Sequence, residues 1–431
     1  MLLLSVGGIA ALVVLFGLLI RYGGTSVRNA QSQIVGYDAA YAFHAENSNR
    51  TKHLRDALAR SEYRSPVLLV LGRPRTSIKE ALAAIDPEHT IADPIALRPA
   101  SIPALVRAIP TIAAQIRQGI EAMATVPCRP PFSVLTAMCF RMSLGQVCAQ
   151  WWQSVAPMAS LKHVLFAHTG TAEASGLELA LQRSDVHTVH VMHGSNTGWP
   201  FAGLSNTAFA QSKADAEMAR SLPAYGRVMT MQSVRPPLAL PPSDEPQRWA
   251  LLTSYSHLQH PAYRRGGSEA DRLVIEWVAE AAAGRGVSPE NVLWRPHPHI
   301  KSIDSAERDL LEQAASQAGF TRWPAELPYG SMALMDLVVT TPSTVMIDAL
   351  RMGQPPIVLN VASLDEEGTY ARYPLLVEDR RMLEQAIDMI ADATRKDGVY
   401  TQCWDAVGPG GPLKLDRVEM LLRPSNRRTR D

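Results

Sequence analysis

Short, wholly apolar runs alternate with helical stretches along most of this chain, and that alternation leaves few folds open. VLLVLG (Val67–Gly72), HVLFAH (His163–His168), HTVHVMHG (His187–Gly194), TAFAQS (Thr207–Ser212) and RVMTMQS (Arg227–Ser233) are each too short for a helix and apolar on both faces. Between them lie long helical patterns at Ile102–Met123 and Phe132–Val155 and shorter ones at Ala172–Gln182 and Lys213–Leu222. Buried strands joined by helices imply crossover units and a parallel sheet covered on both faces.

RPPLALPPSDEPQ (Arg235–Gln247) interrupts the pattern and reads as an interdomain linker. Beyond it the alternation restarts. WALLTS (Trp249–Ser254), NVLWRPHP (Asn291–Pro298), DLVVTT (Asp336–Thr341) and PPIVLNV (Pro355–Val361) are strands. Helices fall at Glu269–Gly284, Ser305–Ala318, Thr344–Gly353, Arg380–Thr394 and Leu413–Leu422. The expected fold is α/β, with two Rossmann-type, doubly wound domains facing a cleft, and ligands at the C-terminal ends of the strands. The divisions are an N-terminal domain over 63–236, a Pro-rich hinge over 237–248, a C-terminal domain over 249–412 and a helix with a basic tail over 413–431.

The first residues pose a separate question. Leu2 to Ile20 carries neither charge nor proline, and as a helix it would measure about 28 Å, close to the thickness of a bilayer core. No basic region precedes it and no small-residue cleavage site follows, so it reads as an anchor and not as a signal peptide. Arg21 and Arg28 follow the run and no Lys or Arg precedes it. The positive-inside tendency then places the remaining chain in the cytoplasm. The reading is a single-pass transmembrane helix over 1–22, a juxtamembrane linker over 23–62, and catalytic domains on the cytoplasmic side of the inner membrane.

Composition removes other classes. Lys and Arg number 42 against 41 Asp and Glu, which excludes a generally basic, nucleic-acid-binding chain. Four cysteines (Cys128, Cys139, Cys148, Cys403) have no CxxC pair and no metal spacing, as expected of reduced thiols.

Polar residues cluster at four strand ends. His193, followed by Gly194 and Ser195, ends a strand of the N-terminal half. An imidazole with an ordinary pKa of about 6.5 can take a proton from an attacking hydroxyl, and Gly194 admits a substrate to the backbone. In the C-terminal half, Ser254 follows the first strand, and Arg295 and His297 end the second in a Pro-fixed RPHP turn. TTPST (Thr340–Thr344) opens the helix that carries Asp348. A permanent cation, free N–H groups and hydroxyls at a helix start suit phosphate, so Ser254, Arg295, His297, Ser343, Thr344 and Asp348 form a candidate nucleotide and phosphate site. Of His187, His190 and His193, alternation turns His190 to the opposite sheet face. No metal site is expected, nor any cofactor beyond an activated substrate. Trp151-Trp152 reads as helix packing.

HVMHGS, RPHP and TTPSTVMIDALRMGQPPIV, in that order on those elements, resemble the GT-B transferases of bacterial surface-polymer synthesis. These include CDP-glycerol glycerophosphotransferases, capsule-type Kdo transferases and the sialyltransferases with an HP motif. The resemblance covers about Leu161 to Val361 and is strongest in the C-terminal half. It implies a metal-independent glycosyltransferase or glycerophosphotransferase. The donor would be a nucleotide-sugar or CDP-polyol, with cytidine favoured, and the acceptor a glycan or a lipid-linked molecule. It further implies that His193 is the base, that His297 contacts the nucleotide phosphate or cytidine, and that Ser343 and Thr344 hold phosphate. Two alternatives stand beside it. One is a sugar-nucleotide epimerase or hydrolase of the same shape, and the other is a non-catalytic component of a polysaccharide export complex.

Overall fold

Each apolar run marks a strand because only a sheet buried on both faces can satisfy a backbone flanked by side chains that shun water on either side. A computed structural model describes residues 2–37, 39–44, 66–71, 95–123, 132–155, 161–166, 171–182, 184, 186–192, 204–221, 226–230, 233–240, 247–254, 268–297, 300, 305–361, 370 and 372–410. The N-terminal part runs α1 (Leu2–Tyr22), α2 (Val27–Ile34), β1 (Ala39–His44), β2 (Pro66–Leu71), β3 (Ile95–Leu97), α3 (Ile102–Met123) and α4 (Phe132–Val155). It continues with β4 (His163–Phe166), α5 (Ala172–Leu181), β5 (His187–Val191), β6 (Thr207–Ala210), α6 (Lys213–Ser221) and β7 (Arg227–Thr230). The strands form one parallel sheet in the order β3-β2-β1-β4-β5-β6-β7.

The C-terminal part runs β8 (Trp249–Thr253), α7 (Ser268–Gly284), β9 (Val292–Pro296), α8 (Ser305–Gln317), β10 (Thr321–Arg322) and β11 (Leu337–Thr340). Then come α9 (Val345–Arg351), β12 (Ile357–Leu359), β13 (Leu376–Val377), α10 (Arg380–Ala391) and α11 (Ala393–Val407). Its parallel sheet has the order β10-β9-β8-β11-β12-β13, the 3-2-1-4-5-6 order of a doubly wound nucleotide-binding sheet. Strand order reverses between β8 and β11, so the loops after those strands diverge and leave a crevice at their C-terminal ends.

Two expectations for the first residues need correction. The segment 23–62 is not simply a linker, because it contributes α2 and β1, and β1 lies in the sheet between β2 and β4. Its AAYAFH sequence carries small alanines in place of the Val, Ile and Leu that mark a buried strand, so the apolar-run criterion passes over it. The transmembrane span expected over Leu2–Ile20 is not found either: among the described residues no helix is long and apolar enough to cross a membrane. From Ile9 onward, where its side chains are described, α1 lies against α3 and α4. Leu15 and Leu19 are buried in the N-terminal core. A run apolar all round does not tell from sequence whether lipid or a neighbouring helix covers it.

The Pro-rich segment is tied to the C-terminal domain. Arg235 pairs with Asp397 at 3.2 Å, Tyr400 donates to the carbonyl of Pro236 at 3.1 Å, and the N–H of Ala239 donates to Gly353. Gly353, which ends α9 at φ +81°, is required there, since a Cβ would lie 2.4 Å from the Pro237 carbonyl oxygen. The end of α11 returns to the N-terminal domain: Lys213 N–H donates to Gly408 O and Gly410 N–H to Gln211 O, each at 2.8 Å. The expected helix at Leu413–Leu422 and the basic tail lie outside the described residues.

Glu178, in α5, is buried and accepts from the hydroxyl of Ser205, just before β6. Burial pushes its carboxyl up to about 7, against the anion-favouring bonds from Ser205 and the neighbouring backbone. The native state therefore holds a proton that the unfolded chain, with a pKa of about 4.5, has released. The stability this contributes is complete below about pH 4.5 and is lost as pH rises towards 7. The thermal midpoint is expected to fall between about pH 5 and 7, and Glu178→Gln to flatten that fall, which melting curves across the range would check.

Candidate functional site

Three strand ends meet at the reversal point of the C-terminal sheet. Leu252 is registered with Arg295 and Thr253 with Pro296, so Ser254 and His297 leave β8 and β9 side by side. On the other flank of β8, Leu252 is registered with Thr340, and the N–H of Thr341 donates to the Leu252 carbonyl. A loop of hydroxyls follows. The Ser254 N–H donates to Thr341 Oγ1 at 2.7 Å, the two hydroxyls lie 2.6 Å apart, and Ser254 Oγ donates to the Pro342 carbonyl at 3.1 Å. Ser343 Oγ lies 3.4 Å from Thr340 Oγ1 and accepts from the Val345 N–H at 3.3 Å. Thr344 is the residue before α9, yet its side chain makes no capping bond to the helix.

Arg295 is held between two aromatic rings, its guanidinium 4.7 Å from the Tyr329 ring centre and 5.7 Å from that of Trp323. These faces attract the cation and fix its plane. They border a cavity of about 380 Å³ lined also by Trp294, Pro296, His297 and Arg322. Tyr329 donates to Asp348 Oδ2 at 3.3 Å, and burial together with Asp348 holds the phenol above its usual range, so it remains a donor. The Asp348 carboxyl is raised by burial and partly restored by Arg351, whose Nη1 is 3.4 Å from Oδ1.

Arg351 carries this chain of contacts into the other domain. Its Nε donates to the Gly410 carbonyl at 2.8 Å, and its Nη2 to the Gln211 carbonyl at 3.2 Å and to Gln211 Oε1 at 3.1 Å. Gln211 Nε2 in turn donates to the carbonyl of Met192 at 2.7 Å. Met192 directly precedes His193, so one continuous network links Tyr329 and Asp348 to the root of that loop. His193, Gly194 and Ser195 themselves lie outside the described residues.

The structure thus gathers Ser254, Arg295, His297, Ser343, Thr344 and Asp348 at one end of the C-terminal sheet. Sequence reading missed the partners: Trp323 and Tyr329 in the irregular TRWPAELPYG stretch, Arg351 and Gln211. Arg351 stands three residues after Asp348 and reads as an ordinary surface helix pair until the fold places Gln211 against it. Asp271, in the first turn of α7, was also missed. Its carboxyl is buried and raised to about 7 by that burial, and it accepts from Thr253, the residue before Ser254. Trp294 Nε1 donates to the same Thr253 hydroxyl at 3.2 Å, which fixes the strand end from both sides.

His163 and His187 are registered across β4 and β5 with rings 6.1 Å apart, at the strand starts and so at the far end of the sheet from residue 193. Trp151 and Trp152 are buried edge to face at 4.9 Å, as helix packing requires. Among the described residues no group of three or more His, Cys, Asp or Glu could hold a metal ion.

No protein-family model matches the chain, and no curated protein matches it in sequence. Solved structures do resemble it. UDP-GlcNAc 2-epimerase of Methanocaldococcus jannaschii, in complex with UDP-GlcNAc and UDP, matches 89% of this chain and 99% of its own, with a TM-score of 0.51 at 10% identity. The UDP-GlcNAc 2-epimerase of Neisseria meningitidis, bound to UDP-GlcNAc, gives the same coverage, TM-score and identity. At that identity the likeness is one of fold, and the fold of this chain is GT-B-like: two α/β domains, each built on a parallel sheet.

Proposed function

We propose that this chain is a metal-independent transferase that moves a sugar or polyol phosphate from a nucleotide-activated donor to a glycan or lipid-linked acceptor, working at the cytoplasmic face of the inner membrane. The observation that supports it best is the convergence of Ser254, His297 and the Thr340–Thr344 hydroxyls at the reversal point of the C-terminal sheet, beside the ring-bracketed Arg295. A diphosphate needs a fixed cation and short hydroxyl donors around oxygens that gain charge as the bond to the leaving group breaks, and these groups supply both. The cavity along Trp323 and Tyr329 offers flat apolar walls for a base next to those phosphate ligands. Motif resemblance favours cytidine, and two structures of similar fold hold UDP-GlcNAc, so CDP and UDP are the nucleotides to test first. In this reading Asp348 and Arg351 join the donor site to the acceptor side, and His193 takes the proton of the acceptor hydroxyl.

Two measurements test this. His297→Ala and Ser343→Ala are each expected to weaken binding of UDP or CDP by about 1–3 kcal/mol, the loss of one hydrogen bond to a charged phosphate. Unchanged affinity in both folded variants would place the nucleotide elsewhere. Donor consumption should also require an acceptor, whereas turnover of donor alone is the result an epimerase or hydrolase would give.

A further inference from the structure

Two helices of the N-terminal domain turn apolar faces outward. On α1, Ile9, Val13, Phe16 and Ile20 recur at i, i+4, i+7 and i+11 and are exposed, Val13 at 65%. The opposite stripe, Leu15 and Leu19, is buried in the core. On α3, Ile102, Val106 and Ile109 are exposed, Val106 at 60%, while Ala104, Leu105, Ala108 and Ile112 face inward. Both helices are thus amphipathic in the wrong sense for water: the side away from the core is also apolar. Contiguous apolar surface of this kind marks an interaction site.

The two helices are tied together. The helices touch, and the turn after α1 is bonded to the segment that enters α3. Thr25 N–H donates to the Arg98 carbonyl at 3.0 Å, Arg98 N–H donates to Thr25 Oγ1 at 2.9 Å, and Trp151 Nε1 donates to the Thr25 carbonyl at 2.9 Å. The approach is close enough that a Cβ on Gly24 would lie 1.7 Å from the Ala100 carbonyl oxygen.

Charge identifies what covers the surface. Although the chain as a whole is balanced, residues 2–37 and 95–120 contain no Asp or Glu, and the one acid of α3, Glu121 near its end, pairs with Arg117 at 3.5 Å. They do carry Arg21, Arg28, Arg98, Arg107 and Arg117, all exposed. A second copy of the chain would set this basic rim against itself. A bilayer with anionic headgroups offers acyl chains to the apolar faces and phosphate to the arginines. A span across the bilayer would require α1 to give up the burial of Leu15 and Leu19.

We propose that the α1–α3 face docks the chain on an anionic lipid surface, with α1 lying in the plane of the headgroup–acyl boundary and not crossing it. This deepens the membrane placement proposed above and rests on no part of the donor chemistry.

The full chain is expected to sediment with phosphatidylcholine vesicles containing one third phosphatidylglycerol, to bind pure phosphatidylcholine far more weakly, and to leave cell membranes in alkaline carbonate. A Val13→Asp, Val106→Asp variant should lose vesicle binding by at least about tenfold while keeping its melting temperature and nucleotide affinity, since both side chains stand outside the core. Arg28→Ser disturbs no core and should weaken binding about fivefold. Retention in the membrane after carbonate would mean that α1 crosses the bilayer, overturning the in-plane geometry while leaving the membrane location. Absence of vesicle binding would overturn both. A dimeric wild type made monomeric by the Val13→Asp, Val106→Asp substitutions would show the face to be a subunit contact.

Discussion

His193→Ala is expected to slow donor turnover by about 10²–10⁴-fold, the usual effect of removing a general base, while the dissociation constant for the donor nucleotide stays nearly unchanged. The asymmetry follows from the two-domain arrangement. The candidate phosphate ligands all come from β8, β9, β11 and the loops behind them, whereas residue 193 follows β5 of the other domain. On the function proposed above, a base there would meet the acceptor hydroxyl and leave the phosphates to Arg295, His297 and the hydroxyl loop. Single-turnover rate, donor affinity and melting temperature measured on one preparation separate the roles. A folded variant with near-normal turnover would remove the catalytic assignment, and one that no longer binds donor would move His193 to the nucleotide.

Arg351→Ala is expected to destabilise the protein by about 2–4 kcal/mol and to weaken donor binding at the same time. The guanidinium makes three bonds to Gly410 and Gln211, and hydrogen bonds to a charged group contribute about 1.5–3 kcal/mol each before the side chains relax. Its loss also leaves Asp348, already raised by burial, without the cation that favours its charged form. Asp348 then holds a proton to higher pH, and as a neutral carboxyl it is a weaker acceptor for the Tyr329 hydroxyl beside Arg295. Arg351→Lys should restore little, because an ammonium cannot span a carboxylate, a carbonyl and an amide in one plane. Melting curves with and without nucleotide would check both effects. Loss of stability with full donor affinity would make Arg351 a strut between domains and nothing more.

The sheets were legible in the sequence wherever strands are rich in Val, Leu and Ile. Val67–Gly72, His163–His168, Trp249–Ser254 and Asp336–Thr341 all fall on strands, and the strand–helix alternation implied the parallel pairing. Strands built from other material escaped. β1 is dominated by alanine, β3 has three residues, and β10 and β13 have two each. Such elements exist because neighbours already in the sheet offer them a ladder, a tertiary cause that no local pattern records. The opening apolar run was legible as a helix but not in its surroundings, since the burial of Leu15 and Leu19 is decided by α3 and α4, roughly 80–140 residues further along the chain.

The candidate site divided in the same manner. Residues at strand ends could be found from sequence, because a strand end in a doubly wound sheet is already a place in space. Side chains that act by meeting something distant could not. Arg351 and Gln211 lie in different domains, and the rings bracketing Arg295 come from an irregular stretch with no period to read.

The account rests on a nucleotide held by the C-terminal sheet, and backbone hydrogen exchange of the full chain with and without UDP or CDP measures that most directly. Protection is expected over 294–297, 323–329 and 340–348, and it should disappear in Arg295→Ala at nucleotide concentrations that saturate the wild type. Protection confined to the N-terminal domain, or unaltered by Arg295→Ala, would contradict it.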